Sequence, residues 1–197
     1  SVTITKSLDV NNFDVIYYLV GRTDDNKFPI EEFIPRHLAI HRIRKMHSAF
    51  LVLVLFWTLV KEKPEMVFSS TLYINGKLLL FRSIFPRTRF IIRCENYLYT
   101  FKKKQRERIK KIYKNADLII AQTEEMKEEL LNVNVPDKIV TVIHNPLDKQ
   151  TIDNKIKEGE NPYNDDNVIR FCASGRFTYQ KGFDLLVSAF ALVKKQL

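Results

Sequence analysis

The chain has 197 residues, 32 Lys and Arg against 23 Asp and Glu, and a formal net charge of +9. Its 45% hydrophobic content, with five Gly and seven Pro, supports a packed core and excludes wholesale disorder or a collagenous, low-complexity chain. Two distant cysteines, Cys94 and Cys172, argue against a disulfide framework or a structural zinc site and suit a reducing cytosolic compartment.

Ser1 to Leu8 carry no basic stretch followed by an apolar one, so no secretory signal is expected there. Phe13 to Val20 is β-branched and aromatic, ends at Gly21, and predicts a buried strand. Residues 22–32 read as a polar loop and Phe33 to Ile40 as another short strand. Residues 42–62 predict a helix that Pro64 stops. Its apolar middle, residues 49–60, falls short of the roughly 20 residues that cross a bilayer. A buried helix or helix–strand segment is the expectation there, with an interfacial or reentrant element as the alternative.

Further strands are predicted at Glu65–Ser70, Arg89–Arg93, Asp117–Ala121 and Lys138–Ile143. Helices are predicted at Leu72–Phe85, Phe101–Ala116 and Glu124–Leu131, the last with two acids that suit the positive end of its dipole. This alternation predicts an α/β domain, a Rossmann-like parallel sheet flanked by helices, with ligands at the carboxyl ends of the strands. Asp148 to Asn167 is polar, contains Gly159 and Pro162, and reads as an interdomain connection. A new strand is predicted at Val168–Ala173 and a helix from about Gly182 to Leu197. Leu185, Leu186, Ala189, Phe190 and Val193 give that helix an apolar face that one βα unit cannot bury, as if a second domain were cut short.

The sharpest local signal follows the last strand. Gly175 permits a tight turn, Arg176 and Lys181 stand five residues apart, and Gly182 opens a helix. Two cations at a strand's carboxyl end, beside a helix N-terminus, make an anion site that suits a diphosphate. The plainer alternative is a strand–loop–helix turn with two solvated cations.

This segment resembles the retaining glycosyltransferases of family 4, which have the two-domain GT-B fold. The matching residues are Gly175-Arg176 and Lys181-Gly182-Phe183-Asp184. Val142 to Asp148 is similar to the family's crossing segment between domains, and Ala116 to Lys127 to the strand and helix before it. The resemblance implies transfer of a sugar from a nucleotide-sugar to an acceptor by a hexosyltransferase-type enzyme. Residues 1–147 would form the acceptor-side domain, and 148–197 the linker and the start of the nucleotide-sugar domain. Gly175, Arg176 and Lys181 would hold the donor diphosphate, and the two cations would stabilise the leaving group catalytically. No cofactor or metal is implied; His37 and His41 are four apart, but nothing beside them completes a ligand set.

The family's Gly-rich loop after a first strand is not found here, and Ser1 to Leu8 look like the end of the helix that should follow it. The spaced glutamate pair that contacts the donor would lie beyond Leu197. The expectation is a fragment that is inactive in isolation.

Two more features stand out. Lys102 to Lys114 holds eight basic residues, including Lys102, Lys103, Lys104, Arg106, Arg108, Lys110 and Lys111, against one acid. Phe101, Ile109, Ile112, Tyr113 and Ala116 share one side of it, so it predicts a basic amphipathic helix. It could dock on anionic lipid, bind nucleic acid, or be a solvated face packed on the sheet; nucleic acid is the least favoured, because few aromatic residues interleave with the cations. Arg93, Glu95 and Asn96 end a strand where a cleft should lie and form a weak acceptor-site candidate by resemblance; the alternative is that they cap the next helix. Ser69 and Ser70 are lesser candidates, and Cys94 reads as a packing residue.

The reading as a whole is an enzyme of polysaccharide, lipopolysaccharide or glycolipid assembly. It would be cytoplasmic, peripheral on the inner membrane face, with a lipid-linked or glycan acceptor. The rival readings are a basic nucleic-acid-binding module and a non-catalytic remnant of the fold.

Overall fold

A computed structural model of the chain describes residues 12–21, 39–44, 46–159 and 169–194. The chain divides into two units, 1–149 and 150–197.

In the first unit, strand β1 (Ile16–Gly21) pairs in parallel with β2 (Ala39–Arg44). Helix α1 (Ser48–Glu62) follows. Next come β3 (Met66–Ser69), α2 (Leu72–Leu78), β4 (Arg89–Arg93), α3 (Lys103–Ile112), β5 (Leu118–Ala121), α4 (Glu124–Asn132) and β6 (Val140–Val142). Strands β3 to β6 form one parallel sheet in sequential order, with Ile92 opposite Ile119 and Ile120 opposite Thr141. This is the predicted α/β architecture. Sequential parallel strands joined by right-handed crossovers put α2, α3 and α4 on one side of the sheet.

The core lies between that sheet and its helices. Phe90 and Ile92 of β4 and Ile119 and Ala121 of β5 are buried, as are Leu51, Leu55 and Leu59 of α1, Ile109 of α3, and Met126 and Leu130 of α4. Strand β4 pairs with β3 and β5 on its two edges, and Phe90 and Ile92 within it are buried. Among the described residues strand β3 ends the sheet, and its Met66 and Phe68 stay exposed. Tyr18 of β1 donates a hydrogen bond to Glu62 Oε1 of α1 at 3.0 Å and stacks on His41 of β2.

The helix ends follow local chemistry. Lys63, in the left-handed region at φ 45°, returns its N–H to Leu59 and closes α1 just before Pro64. Thr123 Oγ1 accepts from Met126 N at 3.2 Å at the start of α4, with Glu124 and Glu125 in the first turn.

Several expected boundaries shift. Residues 42–44 belong to β2, because its ladder with β1 holds them extended, so the helix expected from 42 begins at Ser48. Of the strand expected at 33–40, residues 33–38 lie outside the described residues. The helix expected over Leu72–Phe85 tightens into a 3₁₀ turn at Leu79–Phe81 ahead of Pro86, and that over Phe101–Ala116 does the same at Tyr113–Asn115. Asp117 is not part of β5. Its carboxylate instead accepts from Phe90 N and from Arg82 Nη2, each at 2.8 Å, tying strand β4 to the turn after α2. Residues 137–139 form a 3₁₀ turn rather than the start of β6.

In the second unit, part of the expected connection is helical: α5 spans Lys149–Glu158 and ends before Gly159. Ile152 and Ile156, four apart, supply the helical spacing that the polar composition hides. Residues 160–168 of that connection lie outside the described residues. The strand expected at 168–173 is not formed over 169–173, where no neighbouring strand offers a ladder among the described residues. Helix α6 spans Phe183–Lys194 with none of its residues buried. Residues 195–197, the expected end of this helix, lie outside the described residues.

Candidate functional site

Several buried or half-buried polar side chains gather near the carboxyl end of β4. Strand β4 ends at Arg93, which is only 8% exposed. Its Nη2 donates to Asn145 Oδ1, on the segment that leaves β6. Asn75, on α2 and 1% exposed, donates through Nδ2 to Arg93 O at 3.1 Å and to the Tyr113 hydroxyl at 3.3 Å. Asn75 Oδ1 is buried with no hydrogen-bond partner. Asn75, Arg93 and Tyr113 line a small pocket with Leu72, Cys94, Glu95, Asn96 and Leu98. Burial pushes the Cys94 thiol up to about 12, with Glu129 adding to the shift, and burial also raises the Tyr113 phenol. A protonated thiol in this setting packs and does not attack.

Arg93, Glu95 and Asn96 therefore do meet at one pocket, with Glu95 and Asn96 exposed at its rim. The next turn (Leu98–Thr100) is not capped by them. Its Leu98 and Tyr99 N–H groups go to the Glu129 carboxylate of α4 at 2.5 and 3.3 Å. Ser69 is buried and Ser70 half-buried at the end of β3. Sequence reasoning did not single out Asn75, Tyr113 or Asn145 as pocket or clamp residues. The available signal was an asparagine at a core-facing position of α2, next to Gly76.

On α3, Lys102, Lys103, Lys104, Arg106, Arg108, Lys110 and Lys111 are all exposed, while Ile109 is buried beneath them. Among the described residues no His, Cys, Asp or Glu group is arranged to hold a metal ion. His41 is exposed and stacked on Tyr18, and His37 lies outside the described residues. No helix among the described residues is long and apolar enough to cross a membrane.

In the second unit, Gly175 and Lys181 touch: a Cβ built on Gly175 would meet Lys181 Cδ at 3.4 Å and Phe183 at 3.5 Å. The loop from Arg176 folds into a 3₁₀ turn at Tyr179–Lys181, with Thr178 N bonded to Arg176 O at 2.8 Å. Gly182 closes this turn at φ +59°, a conformation that favours glycine, and its carbonyl accepts from Leu186 N at 2.9 Å, so it also opens the helix as expected. Arg176 and Lys181 are both exposed. The loop thus presents two cations beside the start of α6.

Solved structures share this fold. Anabaena Alr3699/HepE in complex with UDP aligns with a TM-score of 0.55 at 13% identity, over 68% of this chain and 45% of that one. Its complexes with UDP-glucose and with UDP and glucose align with TM-scores of 0.54 and 0.53 at 14% identity, each over 66% of this chain and 37% of that chain. The chain therefore spans less than half the length of these structures. No curated protein matches it. The sequence model of Glycosyltransferase Family 4 matches residues 2–151, three quarters of the chain, and with the parallel Rossmann-like sheet this makes the protein a member of glycosyltransferase family 4.

Proposed function

We propose that this chain is part of a retaining glycosyltransferase that moves a sugar from a nucleotide-sugar to a lipid-linked or polysaccharide acceptor in cell-surface glycan biosynthesis. Residues 1–147 are the acceptor side and residues 148–197 belong to the donor side. The observation that carries the donor half is the loop in which Lys181 folds onto Gly175, next to Arg176. A bulkier residue at 175 would crowd the lysine. As the glycosidic bond breaks, charge builds on the departing diphosphate, and a guanidinium and an ammonium offset it without a metal. UDP and UDP-glucose in the aligned structures support a nucleotide-sugar donor.

On the acceptor side, Arg93, Glu95 and Asn96 offer a fixed cation, an anion and an amide at one strand end. Arg93 is held by Asn145, so its position is set before any ligand arrives. The basic face of α3 would hold the enzyme on an anionic membrane surface, where a lipid-linked acceptor resides.

The test is turnover. In the complete gene product, with UDP-glucose as the probe donor, Arg176→Ala and Lys181→Ala should each slow UDP release by roughly 10²–10³-fold. Wild-type rates in both variants would reject the diphosphate role.

A further inference from the structure

Helix α1 buries Leu51, Leu55 and Leu59 in the core, each 5% exposed or less. A helix on the surface of a domain ordinarily carries polar residues on the opposite side. Here the opposite side holds Phe50, Leu53 and Trp57, which are 64%, 55% and 65% exposed. At about 100° per residue, Leu53 and Trp57 stand diametrically across from Leu51 and Leu55. The helix expected to be buried is buried on one face only.

What covers the other face is indicated by its surroundings. Helices α1, α2 and α3 meet at Tyr73: the Ser48 hydroxyl of α1, Lys77 of α2 and Arg108 of α3 all hold the Tyr73 phenol below its usual range. Lys77 Nζ lies 3.7 Å from the centre of that ring. The three helices thus form one layer, and neighbouring axes in such a layer are about 10 Å apart. The apolar stripe of α1 and Lys103, Lys104 and Lys111 of α3 are exposed on the two helices that flank α2, whose axes this spacing sets roughly 20 Å apart.

We propose that these exposed residues form a membrane-docking face in which Phe50, Leu53 and Trp57 enter the headgroup region of an anionic bilayer. Large aromatic and aliphatic side chains beside a row of cations match the interface between acyl chains and phosphates. A second copy of the chain is a poorer occupant, since pairing would set two bodies of charge +9 and two basic helices near each other. The inference extends the role given above to α3 and does not depend on the transferase chemistry.

Trp57 is the chain's only tryptophan, so its emission reports insertion directly. The 197-residue chain is mixed with vesicles of phosphatidylcholine alone, or of phosphatidylcholine and phosphatidylglycerol in equal parts. Emission should move to the blue only with the anionic vesicles, and a lipid carrying bromine on its acyl chains should quench it. The double variant Phe50→Ser, Leu53→Ser should weaken vesicle binding about tenfold for each residue replaced. Replacing Lys102, Lys103 and Lys104 by Glu should weaken it about 100-fold or more. Both sets of positions are exposed, and circular dichroism confirms that the variants fold.

No blue shift with anionic vesicles would overturn the proposal. So would binding that the lysine variant abolishes but the Phe50, Leu53 variant leaves intact; in that case α3 docks by charge alone. A dimer in sedimentation that the Phe50, Leu53 variant dissociates would assign the face to a second copy, and salt-sensitive retention on RNA without vesicle binding would assign the basic helix to nucleic acid.

Discussion

Replacing Asn145 by Ala tests whether the segment after β6 fixes the carboxyl end of β4. The Arg93 guanidinium is nearly buried and donates to Asn145, its one side-chain partner among the described residues. A hydrogen bond to a charged group contributes about 1.5–3 kcal/mol. The site is near the surface, where water can partly replace the amide, so Asn145→Ala should cost about 2 kcal/mol. For a body of this size that lowers Tm by roughly 4–8 °C. Arg93→Met removes the buried charge together with its need for a partner, and in that background Asn145→Ala should cost less than about 0.5 kcal/mol. Urea denaturation followed by circular dichroism measures all four proteins of the cycle. An equal cost of Asn145→Ala in both backgrounds would refute the clamp, because the loss would then arise from the loop itself.

Two further perturbations probe the core. Cys94 has its thiol raised from the usual 9.0 to about 12, so the folded state holds that proton more tightly than the unfolded chain. Its contribution is fully present below pH 9 and is lost between pH 9 and about 12, at up to roughly 1.4 kcal/mol per pH unit; Cys94→Ala should flatten this decline in stability. At pH 8 a thiol reagent should titrate only exposed Cys172 in the native protein and both cysteines in urea. Within α1, Leu55→Ala should cost about 2–5 kcal/mol and Leu53→Ala no more than about 0.5, read from urea midpoints. Equal costs would contradict the one-sided burial of that helix.

Strands β4 and β5 were legible because β-branched apolar residues flanked by turns leave little else for the chain to do. The basic helix was legible from the spacing of Ile109, Ile112 and Tyr113. Residues 169–173 failed as a strand for a reason composition cannot show: a parallel strand needs a neighbour, and the described residues supply none. Asp153 and Asn154 look like turn residues in sequence, yet both sit inside α5. The candidate pocket was half visible. Arg93, Glu95 and Asn96 stand together in the chain, but Asn75 and Asn145 reach Arg93 from 18 and 52 positions away, a proximity that only the crossovers create.

Among the described residues, strand β3 has a neighbour on one side only, and the pair β1–β2 is not joined to the four-stranded sheet. Each therefore ends in a row of backbone amides and carbonyls that no strand among the described residues receives, and Met66 and Phe68 decorate one such margin. Margins of this kind recruit whatever extended peptide comes near, including another molecule of the same polypeptide. The surplus of positive charge keeps such encounters apart at low ionic strength, whereas concentrated salt screens that repulsion and invites clumping. Purification in dilute buffer, rather than in brine, is the practical corollary.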